Sequence, residues 1–477
     1  MKSFRALPVT LLAAVLAGCA SHIPKDSEPA LRDSAPVSVD AAGQRGALPT
    51  GEWPAADWWR RYDDPVLDQL IRTALAHSPS LATADARFAA ARQSVRVTGA
   101  ATGVQVTANA TFERQRLSDN GLFPPEFLGF NWYNQADLGL AATYTFDWWG
   151  KQRAGIAAAI DEARAAQAER SAAALLLSTS IAESYFGWQA DQRRLQLARE
   201  QLSLVERQAS VTARRITAEI ESGDNARPVA QRSAQSREQI AMLEGSARLR
   251  VVTLAALLAQ PADQLPALEV RELPAPPATL PGSLRMDLLA RRPDIIASRW
   301  RVEAARSNIK AARADYYPDV SIRALAGLSS IEIGNLLEAG SAVPLVSAAV
   351  HLPLFDSGLR NARYGASQSR LASAIADYDE TVVNAARETG AAAATSLQLA
   401  AQRVERERQL AESTAYEVAA AARVRAGTSD IRPQLSAQIA SLNERDALAQ
   451  LQAAALVADI TLQRALGGGY LFTEETP

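Results

Sequence analysis

Two long proline-free stretches constrain the fold more than any other feature of this chain. They run from Gly150 to Ser222 and from Ser357 to Ala426, and both are rich in alanine, leucine, glutamate, glutamine and arginine. These residue types lose little free energy on entering a helix, whereas an internal proline breaks one. Each stretch is predicted to be a helix of roughly 70 residues, which at ~1.5 Å per residue is a rod about 100 Å long. Rods of this length are typical of coiled coils and extended tubes.

The composition argues against several functional classes. The chain has 477 residues and a net charge of −2, so it lacks the basic surplus of a nucleic-acid-binding protein, and we expect no nucleic-acid partner. Three widely spaced histidines and a single cysteine cannot build a disulfide framework or a Cys/His metal site, so we expect no metal and no bound cofactor. The sequence contains no recognisable catalytic constellation or phosphate-binding glycine loop, which predicts that the protein is not an enzyme.

The N-terminus has the pattern of an export signal that ends in a lipidation site. Residues 1–18 contain a short basic region followed by an apolar segment. They run into Leu16-Ala17-Gly18-Cys19, which resembles the box at which bacterial lipoprotein signals are cut and acylated. An ordinary signal peptide with an incidental cysteine is the alternative. Acyl chains on Cys19 would anchor the protein stably in a membrane, and residues 19–57 are predicted to be the lipidated tether.

A period-2 pattern precedes each long helix. Within residues 103–147 and again within residues 318–355, apolar and polar side chains alternate, which predicts two β-hairpins with one apolar face each. A half-buried soluble hairpin has the same pattern. The export signal and the aromatic residues at the strand ends favour strands of a transmembrane β-barrel. Trp132, Trp148 and Trp149 are the candidate membrane-interface anchors, and packing at the strand–helix junction is the alternative for the last two.

The same order of elements occurs twice. Repeat 1 is predicted over residues 58–260 and repeat 2 over residues 284–467, with a proline-rich linker at 261–283 and a C-terminal tail at 468–477. In each repeat a helix leads into the hairpin, and a long helix is followed by a return helix. The long helices are predicted at 150–222 and 357–426, and the return helices at 228–260 and 431–466. Two shorter helices stacked end to end match one long helix in length, so each repeat supplies two staves of a tube.

The predicted fold class is therefore mainly α with membrane β, built from an internal duplication that places long helical staves below membrane strands. Each chain supplies only four strands. The smallest single-chain barrels have about eight strands, and an open sheet edge is not tolerated in lipid. We therefore expect the chain to oligomerise, although these arguments alone do not give the number of copies.

Five short motifs, in this order on a duplicated frame, give the chain a family resemblance. It resembles the TolC-like outer-membrane efflux channels, in the lipoprotein branch often called NodT or OprM-like, over residues 58–466. The motifs are Trp58-Trp59-Arg60-Arg61-Tyr62-Asp63-Asp64-Pro65, Phe146-Asp147-Trp148-Trp149-Gly150-Lys151, Arg291-Arg292-Pro293-Asp294, Tyr317-Pro318 and Leu354-Phe355-Asp356-Ser357-Gly358.

The resemblance implies a homotrimer in the outer membrane of a Gram-negative bacterium, in contact with outer-membrane lipid. Three copies of four strands would make a β-barrel of twelve strands, continuous with a long helical periplasmic barrel of twelve staves. It also implies docking onto a periplasmic adaptor, or membrane fusion protein, and an inner-membrane efflux pump. The implied function is the passive exit duct of a tripartite efflux system for drugs or other small toxic compounds. The exit duct of a type I-like protein secretion system and a structural coiled-coil periplasmic lipoprotein are the alternatives.

The resemblance further implies a gate at the periplasmic end, where helix turns carry acidic side chains. The matching turns hold Asp224 and Asp430, the candidate gate residues. A ring of carboxylates on a symmetry axis would attract cations, whereas capping of the following helix is the alternative role of both acids. Arg227 and Arg432 lie beside the same turns. They are candidates for latching neighbouring helices in the closed state, with simple solvation as the alternative.

Overall fold

A computed structural model describes residue 31 and residues 50–120, 125–275, 279–281 and 287–473. The predicted signal peptide, Cys19 and most of the tether lie outside these described residues. Helices dominate the described chain, and four long strands form one sheet. Among the described helices, none combines the length and the apolar character that crossing a membrane would require.

The elements occur in the same order in both repeats. Repeat 1 contains α1 (Pro65–His77), α2 (Pro79–Ala101), β1 (Gln105–Arg116), β2 (Trp132–Phe146), α3 (Lys151–Thr217) and α4 (Ala226–Leu258). Repeat 2 contains α5 (Pro293–Ala314), β3 (Asp319–Ser330), β4 (Ala342–His351), α6 (Leu359–Arg425) and α7 (Ile431–Ala465). Between the repeats, Leu280–Pro281 pairs in parallel with Thr50–Gly51, so the linker is tied to the end of the tether.

The long helices are somewhat shorter than the proline-free stretches. The predicted end of α3 at Ser222 is wrong, because Glu219 adopts a left-handed conformation with φ 56° and ends the helix at Thr217. The return helix α4 begins at Ala226, two residues before the predicted start. Proline is tolerated in a first helical turn, so Pro228 does not mark the helix start.

The helices lie side by side as four staves. The helices α2 and α4 pack against α3, while α5 and α7 each pack against both α3 and α6. Stacked pairs of shorter helices therefore alternate with the two long helices, as their matched lengths predict. Because α5 and α7 lie between α3 and α6, the two repeats share one continuous wall.

The four strands form an antiparallel sheet in the order β1-β2-β3-β4. The central pairing of β2 with β3 joins the two repeats, and Leu138 lies opposite both Ala110 of β1 and Leu328 of β3. Apolar residues thus pair with apolar residues across the sheet, which gives one continuous apolar face. The outer edges of β1 and β4 have no strand partner within the described chain. Since lipid does not tolerate open edges, other copies must continue the sheet.

The largest core lies where the shorter helices meet end to end. Tyr185 and Phe186 of α3 are buried at its centre, against apolar side chains of α1, α4 and α7. Trp58 and Tyr62 of the first motif enter the same core, where they contact each other edge to face. Burying an aromatic or large aliphatic side chain contributes about 1.5–3 kcal/mol. This core therefore fixes the middle of the tube, between the sheet and the helix turns.

Candidate gate at the helix turns

The two turns that follow the long helices lie next to each other in the chain's structure. The first turn spans residues 218–225, and the second spans residues 426–430. Nη1 of Arg432 lies 3.4 Å from both carboxylate oxygens of Glu221. Arg432 is in the first turn of α7 and Glu221 is in the turn after α3, so this contact joins repeat 2 to repeat 1. We refer to it below as the tip ion pair.

Glu221 is the centre of the contacts at this end, and the sequence analysis missed it. Its carboxylate accepts hydrogen bonds from Nε of Arg215 at 3.0 Å and from Nδ2 of Asn225 at 3.0 Å, in addition to Arg432. The Glu221 side chain is only 13% exposed. Charge-assisted hydrogen bonds are roughly twice as strong as neutral ones. A feature of the sequence that could have identified Glu221 is its position, three residues before Asp224 in an acidic turn.

Asp430 caps α7 and orients Arg432. Its Oδ1 accepts a hydrogen bond from the backbone N–H of Arg432 at 2.9 Å, and its Oδ2 accepts one from Nη2 of the same residue at 2.8 Å. The Arg432 guanidinium and backbone N–H hold the pKa of Asp430 below its ordinary value. The structure thus contains the capping contact that the sequence analysis considered as an alternative, and the same contact directs Arg432 towards Glu221.

Asp224 and Arg227 lie at the exposed tip of the first turn. Both side chains are 86% exposed, and Nε of Arg227 lies 3.7 Å from Oδ1 of Asp224. A loose, exposed ion pair of this kind contributes only about 0–1 kcal/mol. Ser222, not Asp224, caps the short turn, because its hydroxyl accepts the backbone N–H of Asp224 at 3.4 Å. The Asp224 carboxylate therefore faces solvent at the end of the molecule.

The candidate interface tryptophans occupy two kinds of environment. Trp132 and Trp148 lie near opposite ends of β2, and their exposed fractions are 54% and 62%. Trp149 stacks on Tyr317 with ring centroids 4.5 Å apart, and its Nε1 donates to the carbonyl oxygen of Pro318 at 2.9 Å. Trp149 therefore makes the junction contact that was its alternative role, and it ties the end of β2 to the start of β3.

The other motif residues hold the two repeats together in the middle of the tube. The hydroxyl of Tyr62 donates to Oδ2 of Asp459 at 2.6 Å, which joins the first motif to α7. Burial raises the pKa of Asp459 above its ordinary value. Nη1 of Arg292 donates to the carbonyl oxygen of Ala465 at 3.0 Å, within repeat 2. Among the described residues, no three potential metal-ligand side chains cluster together.

The fold and these contacts define a class of protein: one protomer of a tube whose helical wall continues a membrane sheet. The model of the outer membrane efflux protein family matches residues 70–260 and 284–468, which correspond to the two repeats. The chain belongs to this family.

Relatives and solved structures agree with that assignment. The multidrug resistance outer membrane protein MdtP of Escherichia coli is 31% identical over 464 residues, which cover 96% of this chain and 94% of the relative. The crystal structure of the outer membrane protein VceC from Vibrio cholerae matches with a TM-score of 0.79 at 31% identity, over 87% of this chain and 100% of that chain. The outer-membrane channel OprN matches with a TM-score of 0.83 at 25% identity, over 94% and 98% of the two chains.

These similarities confirm the predicted family resemblance, the fold class and the outer-membrane location. The protein is an outer-membrane efflux channel, the exit duct of a tripartite efflux system. Its four-stranded sheet is one protomer's share of a barrel, and the four staves below it are that protomer's share of the helical wall.

Proposed function

We propose that three copies of this chain form a duct through which drugs or other small toxic compounds leave the cell, delivered by an inner-membrane pump through a periplasmic adaptor. The observation that carries the proposal is the open sheet directly above the four staves, in which β1 and β4 have unpaired edges within the part of the chain that the structure describes. The name of the relative MdtP, a multidrug resistance outer membrane protein, supports the class of cargo.

The outermost staves support assembly with further copies of the chain. Large apolar side chains are exposed on α4 and on α6, where a globular monomer would bury them. They are Met242, Leu249 and Val252 on α4, and Val404, Tyr416 and Val418 on α6. Three protomers would give twelve strands, and the same symmetry would place α6 of one copy next to the outermost stave of the next. A trimer therefore covers both the sheet edges and these helical faces.

We propose that the duct is held in the membrane by acyl chains on Cys19 and by the exposed rings of Trp132 and Trp148. The pattern Leu16-Ala17-Gly18-Cys19, which ends the predicted export signal, supports the lipid anchor. The exposed fractions of the two rings, 54% for Trp132 and 62% for Trp148, support their place at the membrane interface. No other cofactor is proposed.

We propose that the tip ion pair is the latch that keeps the periplasmic end closed. Arg432 reaches across from repeat 2 to Glu221 in repeat 1, and Asp430 holds the guanidinium in place. In the trimer, the exposed carboxylates of Asp224 would form a ring on the symmetry axis, which attracts cations. Arg227, which lies beside each Asp224, would moderate that charge.

The test is the conductance of the purified full-length protein in planar lipid bilayers. We expect a heat-sensitive oligomer that forms pores with a low resting conductance and is blocked by divalent cations. Asp224→Ala should weaken the cation block, because it removes the proposed carboxylate ring. Asp263→Ala, which removes an acid of the linker, is the matched control and should leave the block unchanged. A monomeric protein without pore activity would refute the duct, and an unchanged block in Asp224→Ala would refute the ring.

A further inference from the structure

The seam between α3 and α7 joins the lower parts of the two repeats at two levels. At the end of the tube it is closed by the tip ion pair. Higher up, Arg194 of α3 pairs with Asp446 of α7, a contact that we call the upper ion pair. Fourteen residues of α7 separate Asp446 from Arg432, which at ~1.5 Å per residue is about 20 Å along the helix. The two ion pairs therefore hold the same seam closed at two different heights.

The upper ion pair is well ordered by its contacts. Nε of Arg194 donates to Oδ1 of Asp446 at 2.8 Å, and Nη2 lies 3.4 Å from Oδ2. Gln450 donates a further hydrogen bond to Oδ2 at 2.7 Å. The two ionic side chains are only 19% and 15% exposed. Two-point contacts between a guanidinium and a carboxylate fix the relative position of their helices better than a single contact does.

The burial of α3 changes at the level of this pair. Above it, twelve residues of α3 between Leu177 and Asp191 are buried. Below Ala198, the same helix buries only three residues before it ends. These are Val205, Gln208 and Thr212. Side-chain burial is what resists separation of packed helices. Below the upper ion pair α3 thus buries fewer residues than above it, while α7 still buries Leu435, Ala437, Ser441 and Leu442 at this level.

A groove opens in the seam directly below the upper ion pair. Its volume is about 540 Å³, and its lining includes Leu204 of α3 and Ser441 of α7. Ser441 is only 1% exposed, and its hydroxyl has no hydrogen-bond partner among the described residues. A buried hydroxyl without a partner is less favourable than a hydrated one, and separation of α3 from α7 would let water reach it.

We propose that the upper ion pair is the fulcrum of the gate, by which we mean the upper limit of its opening. The seam between α3 and α7 separates below this pair when the tip ion pair breaks, and it stays closed above the pair. The inference rests on the proposed latch at the tip. Arg194 and Asp446 are positioning residues in this account, since they set how far up the wall an opening extends. The two ion pairs act in series on one seam, which predicts that their effects on opening are coupled.

A double-mutant cycle in planar bilayers tests the coupling, with the resting open probability of the full-length channel as the readout. Arg432→Gln should raise the open probability, because it breaks the tip ion pair. Asp446→Asn alone should change it little, because the tip remains closed. Together they should raise the open probability by at least about twofold more than the product of the single effects, which is the lower end of the coupling seen within one network.

Two further variants separate a fulcrum from general loosening of the helices. Glu444→Gln breaks a 2.8 Å ion pair with Arg406, which joins α6 to α7 within repeat 2 and does not cross the seam. Combined with Arg432→Gln it should add nothing. Exchange of the charges, Arg194→Asp with Asp446→Arg, restores an ion pair at the same place. In the Arg432→Gln background it should therefore give the open probability of Arg432→Gln alone. The thermal dissociation of the oligomer checks that each variant is assembled.

The outcomes distinguish the two levels of the proposal. If the double variant behaves as Arg432→Gln alone, or if Glu444→Gln produces the same synergy, the fulcrum is wrong while the latch stands. If Arg432→Gln forms pores with an unchanged open probability, the latch is wrong and the fulcrum falls with it. If no variant and no wild-type preparation forms pores, the proposed duct itself fails.

Discussion

Single side chains of the first motif contact the surrounding helices through polar groups in the wall of the tube. The hydroxyl of Tyr62 donates to Asp459, and the hydroxyl of Tyr185 donates to Oδ2 of Asp64 at 2.8 Å. Asp64 also caps α1 through the backbone N–H of Val66 at 2.9 Å. Tyr62 and Asp64 of the first motif therefore make structural contacts.

Removal of the Tyr62 hydroxyl should destabilise the protein. Tyr62→Phe leaves the buried carboxylate of Asp459 without its shortest hydrogen bond, and an unpaired buried polar group costs about 1–3 kcal/mol. We expect a lower melting temperature by circular dichroism. Tyr470→Phe is the control, because the buried hydroxyl of Tyr470 makes no hydrogen bond within the described chain and its ring remains. Equal melting temperatures for Tyr62→Phe and wild type would show that this contact does not stabilise the wall.

Acid should weaken the closed tip through Asp430. Its folded pKa is held below the unfolded value by Arg432, so the stabilisation is present above the unfolded pKa of about 3.9 and is lost as the pH falls through the folded pKa. We expect the resting conductance to rise below about pH 4. In Asp430→Asn this rise should be much smaller, because the titrating group is gone. An identical pH profile in the variant would exclude Asp430 as the origin.

The tip ion pair shows which contacts between single residues the sequence does not predict. The acidic turns and the arginines beside them can be found in the sequence, and Asp430 and Arg432 were among the candidates. Glu221 was missed because its partner Arg432 lies 211 residues away in the chain. Such a contact is created by the packing of α3 against α7, and no local pattern encodes it.

At the scale of elements, composition decides the long helices, but their ends depend on single backbone conformations. The proline-free stretches predict α3 and α6 because alanine, leucine and charged residues favour the helix over their whole length. The early end of α3 depends on Glu219, which has a left-handed φ that this residue type seldom adopts. Such an exception is set by the contacts of the turn, in which N–H of Ile220 donates to the carbonyl oxygen of Arg215.

The turn after α7 should not tolerate side chains. Gly467 has a φ of 91°, and a Cβ there would overlap the carbonyl oxygen of Arg291. A Cβ on Gly469, with a φ of 79°, would overlap the backbone of Ala55. We expect Gly469→Ala to lower the melting temperature. Gly245→Ala in the middle of α4 is the matched control, since nothing lies near its Cβ position and alanine favours a helix by roughly 0.5–1 kcal/mol. If both variants melt alike, the close approach at the turn is unimportant.

At the scale of the whole molecule, one chain supplies only part of a barrel, and further copies must supply the rest. The strand alternation and the duplication could be read from the sequence, because each follows from local periodicity. The alternation of staves, in which α5 and α7 lie between the two long helices, could be expected only from matched lengths. The number of copies came from the family resemblance, because open edges demand partners without fixing how many.

The most direct test of this account is the single-channel conductance of the purified full-length channel before and after Glu221→Gln. Glutamine keeps the size of the side chain and removes the charge that pairs with Arg432 and Arg215. The account predicts a low resting conductance in the wild type and an open-to-closed ratio at least about tenfold higher in the variant, since a charge-assisted hydrogen bond contributes ~1.5–3 kcal/mol and ~1.4 kcal/mol is a factor of ten. A wild-type channel that rests fully open, or a variant that stays as closed as the wild type, would contradict it.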